Sequence, residues 1–322
     1  MVRPRCAVLA AAVFIAGCGT SGVGLDDAEP TVTLFPDDDA IETVDDYGST
    51  SVTPDTTEAA VVRAPIPAPR RDALGVVFRA GVALPVTMVD DSGWTAIRPC
   101  GEVLVATSPA PQTFVVMVDP GGDAGSDPDS VAAADLIAQA LAAELDGVEV
   151  SSSLTRRGTA DVAVTDRLAA VDASGARVLV SIVVGDDPRE GFEVVHRAGD
   201  TESHRLAGLV LDAALAELRG VDLDFGGDPS VAGVVNQRGS DYYAVLRTDD
   251  DLVGVVVRLP ASAAQLDVVE EVGASLGRSM AAGIYDFVTT DSSARVGAPT
   301  ETVRTAPIAS GTAECVDPTE PD

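Results

Sequence analysis

The chain is 322 residues long and carries 21 basic against 51 acidic side chains, a formal charge of −30. Every basic side chain is arginine; lysine does not occur. An acidic surface of this size repels phosphate backbones and anionic headgroups alike, so it excludes a general nucleic-acid binder and any electrostatic adhesion to a bilayer.

Met1-Val2-Arg3-Pro4-Arg5 is a short basic segment, and the apolar run Cys6 to Ala16 follows it. That run is too short to cross a bilayer as a permanent helix and has the form of a signal-peptide core. It ends Ile15-Ala16-Gly17-Cys18, two small residues before a cysteine, which matches the bacterial lipobox. Residues 1–17 are therefore expected to be cleaved and Cys18 lipidated, placing the chain on the extracytoplasmic face of the cell membrane. The alternative is an ordinary signal peptide with a chance cysteine. Two acyl chains at about 0.8 kcal/mol per buried methylene suffice for a stable anchor. Residues 18–71 are rich in Asp, Glu, Thr, Ser and Pro without apolar periodicity, and are expected to form a disordered acidic tether. Roughly fifty such residues span on the order of 40 Å.

Residues 72–110 contain four short strand-like runs, Val76-Phe78, Val86-Val89, Trp94-Ile97 and Val103-Val105, with turn residues Asp90-Gly93 and Pro99-Gly101 between them. These predict a small β-meander weakly similar to SH3-like modules. The only tryptophan, Trp94, anchors its core or stacks on a sugar. Residues 111–288 alternate strands and helices. Phe114 to Val118 is a strand. Ile137, Leu141 and Leu145 predict a helix over 131–145, and Val148-Val150 a strand. Val164, Leu168 and Val171 predict a helix over 161–172. Val178 to Val184 is apolar throughout, as expected of a strand covered on both faces. Leu206, Leu209, Val210, Ala213 and Leu218 mark another helix. Tyr242-Leu246 and Leu252-Leu259 predict strands, and 263–288 a last helix. The fold class is α/β, three layers with a sheet between helices, preceded by the meander. Residues 289–322 read as an extended tail. Once Cys6 is cleaved and Cys18 lipidated, Cys100 and Cys315 are left over, and in an exported protein a disulfide between them is expected; the alternative is intermolecular pairing through a free thiol.

Asp119-Pro120-Gly121 after the first strand, then Thr155-Arg156, Val180-Ser181-Ile182, Gly191-Phe192-Glu193, Arg238-Gly239, Val245-Leu246-Arg247 and Val255-Val256-Val257, resemble in order and spacing the zinc-dependent N-acetylmuramoyl-L-alanine amidases of the Amidase_3 type. The resemblance covers roughly residues 114–288. It implies a cell-wall protein whose relatives cut between glycan and stem peptide. It also implies where zinc and the catalytic glutamate should sit, and those positions hold Gly122, Ser130, Val183 and Arg258. Zinc needs three N, S or O side-chain ligands and an open position for water. Glycine and valine offer no donor, serine is a poor substitute for carboxylate, and arginine cannot deprotonate and repels a cation. The expectation is therefore no catalytic residue, no metal and no cofactor, with zinc entering only if the chain is an active amidase through a site not visible in these motifs. In place of zinc, Arg258 is expected to pair with Asp119 or Asp123. The two histidines, His196 on a strand and His204 opening the next helix, read as ordinary side chains. The acidic loop Asp123 to Asp129 lacks the spacing of a calcium loop and reads as solvated. The function that follows is a lipid-anchored envelope protein with a degenerate amidase domain, binding peptidoglycan or a cell-wall protein, or regulating wall hydrolysis. The alternatives are an active peptidoglycan hydrolase and a purely structural envelope lipoprotein.

Overall fold

The computed structural model describes residues 63–122, 126–185, 191–221, 223, 227–248, 250–291, 301–305 and 317–319. The expected signal segment, Cys18, Asp123 and Cys315 lie outside the described residues. The chain divides into two units, and every described residue belongs to the second, Ala59–Asp322.

Four antiparallel strands come first: β1 (Val76–Arg79), β2 (Val82–Asp90), β3 (Gly93–Ile97) and β4 (Val103–Ala106), paired in that order. Val77, Leu84, Val86, Trp94 and Ala96 fill the space beneath this sheet together with Val162 from the larger domain. Trp94 is 5% exposed and donates its indole N–H to the Pro109 carbonyl at 2.8 Å, so it is core and not a sugar platform. The module does not stand apart. Ala83 N–H donates to the Thr155 carbonyl at 3.0 Å and Arg157 N–H to the Gly81 carbonyl at 2.9 Å.

The second sheet has seven strands: β5 (Val116–Pro120), β6 (Ser152–Leu154), β7 (Val178–Gly185), β8 (Glu193–His196), β9 (Ser230–Val235), β10 (Val253–Pro260) and β11 (Glu301–Val303). Their spatial order is β11-β9-β8-β10-β7-β5-β6. Strands β6, β5, β7 and β10 run parallel to one another. β8 turns antiparallel to β10, and β9 and β11 follow β8. One face is covered by α1 (Pro128–Gly147), α3 (Thr201–Leu218) and α4 (Leu266–Thr289), whose Ile137, Leu141, Leu206, Val210, Leu276 and Ile284 pack on Val180, Ile182, Val255 and Val257. Each such side chain contributes about 1.5–3 kcal/mol relative to exposure. The other face carries α2 (Val164–Ser174), with Val171 against Leu179 and Val256. The α/β class and the sheet between helices are as expected from the alternating pattern.

Local chemistry sets the ends of these elements. Asp127 caps α1 by accepting from Ser130 N–H at 3.0 Å, with Pro128 at the first helical position. Gly175 ends α2 in the left-handed region at φ +74°. Helix α4 touches α1 and α3 so closely that a Cβ at Gly277 would strike the Ile137 carbonyl, and one at Gly283 would lie 2.6 Å from the Leu209 carbonyl. Only glycine permits that approach.

Several expectations are corrected. Tyr242-Leu246 is not a strand: Ala244–Leu246 forms a short 3-10 turn whose Val245 and Leu246 are buried for packing. The strand expected at Val148-Val150 starts only at Ser152 because α1 runs on to Gly147. β9 was not anticipated. The tether is packed from Arg63 onward, through an Ala64 N–H bond of 2.6 Å to the Thr289 carbonyl and an Arg70 N–H bond of 2.8 Å to the Gly175 carbonyl. The tail supplies β11 and then returns at Asp317–Thr319 to the small sheet, where Asp317 pairs with Arg98 at 2.8 Å and buried Thr319 accepts from Arg98 and Arg79.

Candidate functional site

At the C-terminal edges of β5 and β7 a carboxylate is buried among hydroxyls and guanidinium groups. Register places Asp119 of β5 opposite Ser181 of β7, and β6 leads directly into Thr155 and Arg156. Asp119 is 1% exposed. It accepts from Thr155 Oγ1 at 2.6 Å, from Ser181 Oγ at 2.9 Å, and from Arg167 Nη1 at 2.7 and 2.6 Å. Arg167 reaches it from α2, with its Nε donating to the Val162 carbonyl at 3.1 Å. Burial pushes the Asp119 carboxyl upward, but the Arg167 charge and the three donors outweigh it, so the group is held below the usual carboxylate range.

Arg156, 2% exposed, closes the arrangement from the other side. Its Nε and Nη2 donate to the Pro120 carbonyl at 3.1 and 2.8 Å, Nη2 also reaches the Gly121 carbonyl at 3.2 Å, and Nη1 donates to the Ala160 carbonyl. These donors satisfy carbonyls left over where β5 runs out of ladder. Burial, followed by repulsion from Arg167, lowers the Arg156 pKa, while Asp119, Asp135 and Asp161 pull it back up. Two buried guanidinium groups thus flank one carboxylate.

Of the positions carried over from the resemblance, Gly122 and Val183 lie beside this cluster. Gly122 lies two residues beyond the end of β5. Val183 of β7 lies opposite Arg258 of β10, and Gly122 and Val183 share a small cavity with Asp119 and Arg167. Ser130 opens α1 and shares a larger cleft with Val183, and its hydroxyl bonds the Asp127 carboxylate at 3.0 Å. The described side chains at these positions offer a divalent ion little. Gly122 has φ +124°, and a Cβ on it would lie 3.0 Å from Val131 Cγ2 and 3.4 Å from the Arg156 Nη2. A ligand side chain there would meet a wall and a cation. Val183 contributes only methyl groups. Among the described residues, no group of three or more His, Cys, Asp or Glu side chains is placed to hold a metal ion.

Arg258 is not the partner of Asp119, and Asp123, the other partner expected for it, lies outside the described residues. Every described partner of Asp119 is Thr155, Ser181 or Arg167, while Arg258 faces Val183 and Glu193 across its two neighbouring strands. The residue that sequence reasoning missed is Arg167. Its signal was present: Val164, Arg167, Leu168 and Val171 follow the spacing of one helix face, so an arginine occupies a core position of that stripe. The histidines lie elsewhere. His196 sits level with Val255, three residues back along β10 from Arg258. Its ring meets that of His204 of α3 edge to face at 5.0 Å, on the opposite face of the sheet from Asp119. Cys100 lies two residues beyond Arg98, and Cys315, the partner expected for it, lies outside the described residues.

No family model and no curated protein matches the chain. Among solved structures it is similar to Cwp6 from Clostridium difficile, at 19% identity over 55% of this chain and 29% of that one, with a TM-score of 0.46. It is also similar to the N-acetylmuramoyl-L-alanine amidase from Clostridium difficile 630, at 19% identity, 55% and 97% coverage and a TM-score of 0.43. A third is the CwlD amidase from Clostridioides difficile in complex with the GerS lipoprotein, at 15% identity, 55% and 98% coverage and a TM-score of 0.43.

Proposed function

We propose that this chain is a lipid-anchored cell-envelope protein whose amidase-like domain does not hydrolyse peptidoglycan but binds it or regulates wall hydrolysis. One observation carries the non-catalytic reading: the positions the resemblance assigns to metal ligands and base hold Gly122, Ser130, Val183 and Arg258, and a side chain longer than glycine at 122 would run into Val131 and the buried Arg156 guanidinium. The envelope reading rests on the lipobox at Ile15 to Cys18 and on the order of motifs from Asp119 to Val257. A disulfide from Cys100 to Cys315 belongs to the same proposal. It is favoured by the Arg98–Asp317 and Arg98–Thr319 contacts, which bring the chain two residues beyond Cys315 to a point two residues before Cys100.

The test uses the full purified chain in three measurements on one preparation: zinc content, co-sedimentation with purified sacculi, and release of stem peptide from them. The expected result is sedimentation with the wall, no released peptide and zinc far below one equivalent. Stoichiometric zinc with peptide release would replace the proposal by an active amidase. A protein that stays in the supernatant would remove the wall-binding half. Lipid labelling lost in Cys18→Ala checks the anchor.

A further inference from the structure

A second cleft, separate from the Asp119 cluster, lies between the small sheet and α2 and has a volume of about 500 Å3. Leu84, Val86, Ile97 and Val162 give it apolar walls, and none of Asp119, Arg156 or Arg167 lines it. Its size is that of a small-molecule site rather than of a slot for one side chain.

Charge in this cleft is unbalanced. Asp166 and Asp172 of α2 face it, with Asp72 on the rim. Arg70, the cationic residue in the lining, is taken up by Asp172 at 2.5 Å. The Asp166 carboxylate has no hydrogen bond and no ion pair among the described residues, although the residue is half-buried. The arginines at that corner are engaged elsewhere: Arg98 with Glu102 and Asp317, and Arg79 with the Thr319 carbonyl. Burial pushes the Asp166 carboxyl up, and the nearby Asp317 carboxylate pushes it further. A half-buried carboxylate without a counter-ion costs stability. The group that would relieve this is a cation, and the walls around it want hydrocarbon.

We propose that this cleft binds a small amphipathic monocation, an ammonium group on an aliphatic stem of several carbons. Its head pairs with Asp166 and its stem lies against Val86, Ile97 and Val162. This goes beyond the proposed wall-binding role and does not depend on it.

Calorimetric titration of the full chain tests the assignment with three probes: hexylammonium, hexanol as the neutral stem, and Nα-acetyl-lysine amide as the peptide-borne cation. Hexylammonium should bind at least tenfold more tightly than hexanol, about 1.4 kcal/mol. Asp166→Asn should abolish that preference while leaving hexanol unchanged. Because Asn relieves an unpaired charge, the Asp166→Asn variant should also melt at a higher temperature than wild type at neutral pH. Ala169→Trp, on the exposed lining of α2, should block both hexylammonium and hexanol. Equal affinity for hexylammonium and hexanol, an Asp166→Asn variant that keeps the preference, or no binding of hexylammonium at all would overturn the assignment. Tighter binding of the lysine amide than of hexylammonium would overturn the free small molecule in favour of a peptide side chain.

Discussion

Replacing Arg167 by methionine keeps an unbranched apolar stem and removes the charge that holds Asp119. In wild type the Asp119 carboxyl is depressed below its unfolded value, near 3.9. Its contribution is therefore fully present above about pH 4 and disappears as pH falls through the lower, folded value. In the variant, burial acts with only Thr155 and Ser181 as donors, so the folded value moves up instead. The cost of the variant then grows as pH rises from about 4 toward neutrality. Removing one partner of a buried pair costs about 3–5 kcal/mol. For a unit of more than two hundred residues each kcal/mol is worth about 2–4 °C, so the melting temperature should drop by about 10 °C at pH 7. Thermal unfolding followed by circular dichroism at pH 4 and pH 7 reads both effects. The double variant Asp119→Leu with Arg167→Met should recover most of the loss, because neither charge then remains buried. A drop below about 2 °C at pH 7, or a gap to wild type that is no smaller at pH 4, would refute the account of this cluster.

Gly122→His restores the side chain of the resembled zinc ligand, yet it should lower the melting temperature and leave zinc content unchanged in elemental analysis. The backbone there is left-handed, and the added Cβ meets Val131 and Arg156. Cys315→Ser should cost about 3–5 kcal/mol, because it opens a loop of about two hundred residues. Peptide mapping without reductant should show a Cys100–Cys315 linked fragment in wild type only. His196→Leu should flatten the acid side of the stability profile. Burial lowers the His196 pKa most strongly, with the neighbouring His204 adding to it, so the unfolded chain takes up a proton first and wild type loses stability as pH falls below about 6.5. Melting curves at pH 7 and pH 5 that shift equally in both proteins would contradict this.

Much of the sheet was legible because strands covered on both faces must be apolar throughout, and Val178 to Val184 is. The long helices announced themselves through four-residue spacing in Ile137, Leu141 and Leu145. What escaped had weaker local causes. Tyr242 to Leu246 is as apolar as a strand, yet it is buried to pack against Val256 rather than to extend the ladder. β11 is three residues with every side chain exposed, so nothing in its pattern marks it, and only pairing with β9 makes it a strand. At the site, the residue types at the resembled metal positions are readable one by one. The partner of Asp119 is not, because Arg167 approaches from a helix about fifty positions farther along the chain, and an arginine on an otherwise apolar helix face is its one mark in the sequence.

The segment from Arg63 to Arg70 has a mechanical consequence. Among the described residues, the first attachment that tension from the N-terminal side meets is Arg63, whose guanidinium pairs with Asp286 at 2.9 Å and lies over the Tyr285 ring. The next attachments are the Ala64 bond to Thr289, then Arg177 to the Ala68 carbonyl, then Arg70 to Gly175 and Asp172. They stand in series, so a load is met by one fastening after another at the ends of α4 and α2. The ladder between β1 and β2 feels the pull only after these have given way.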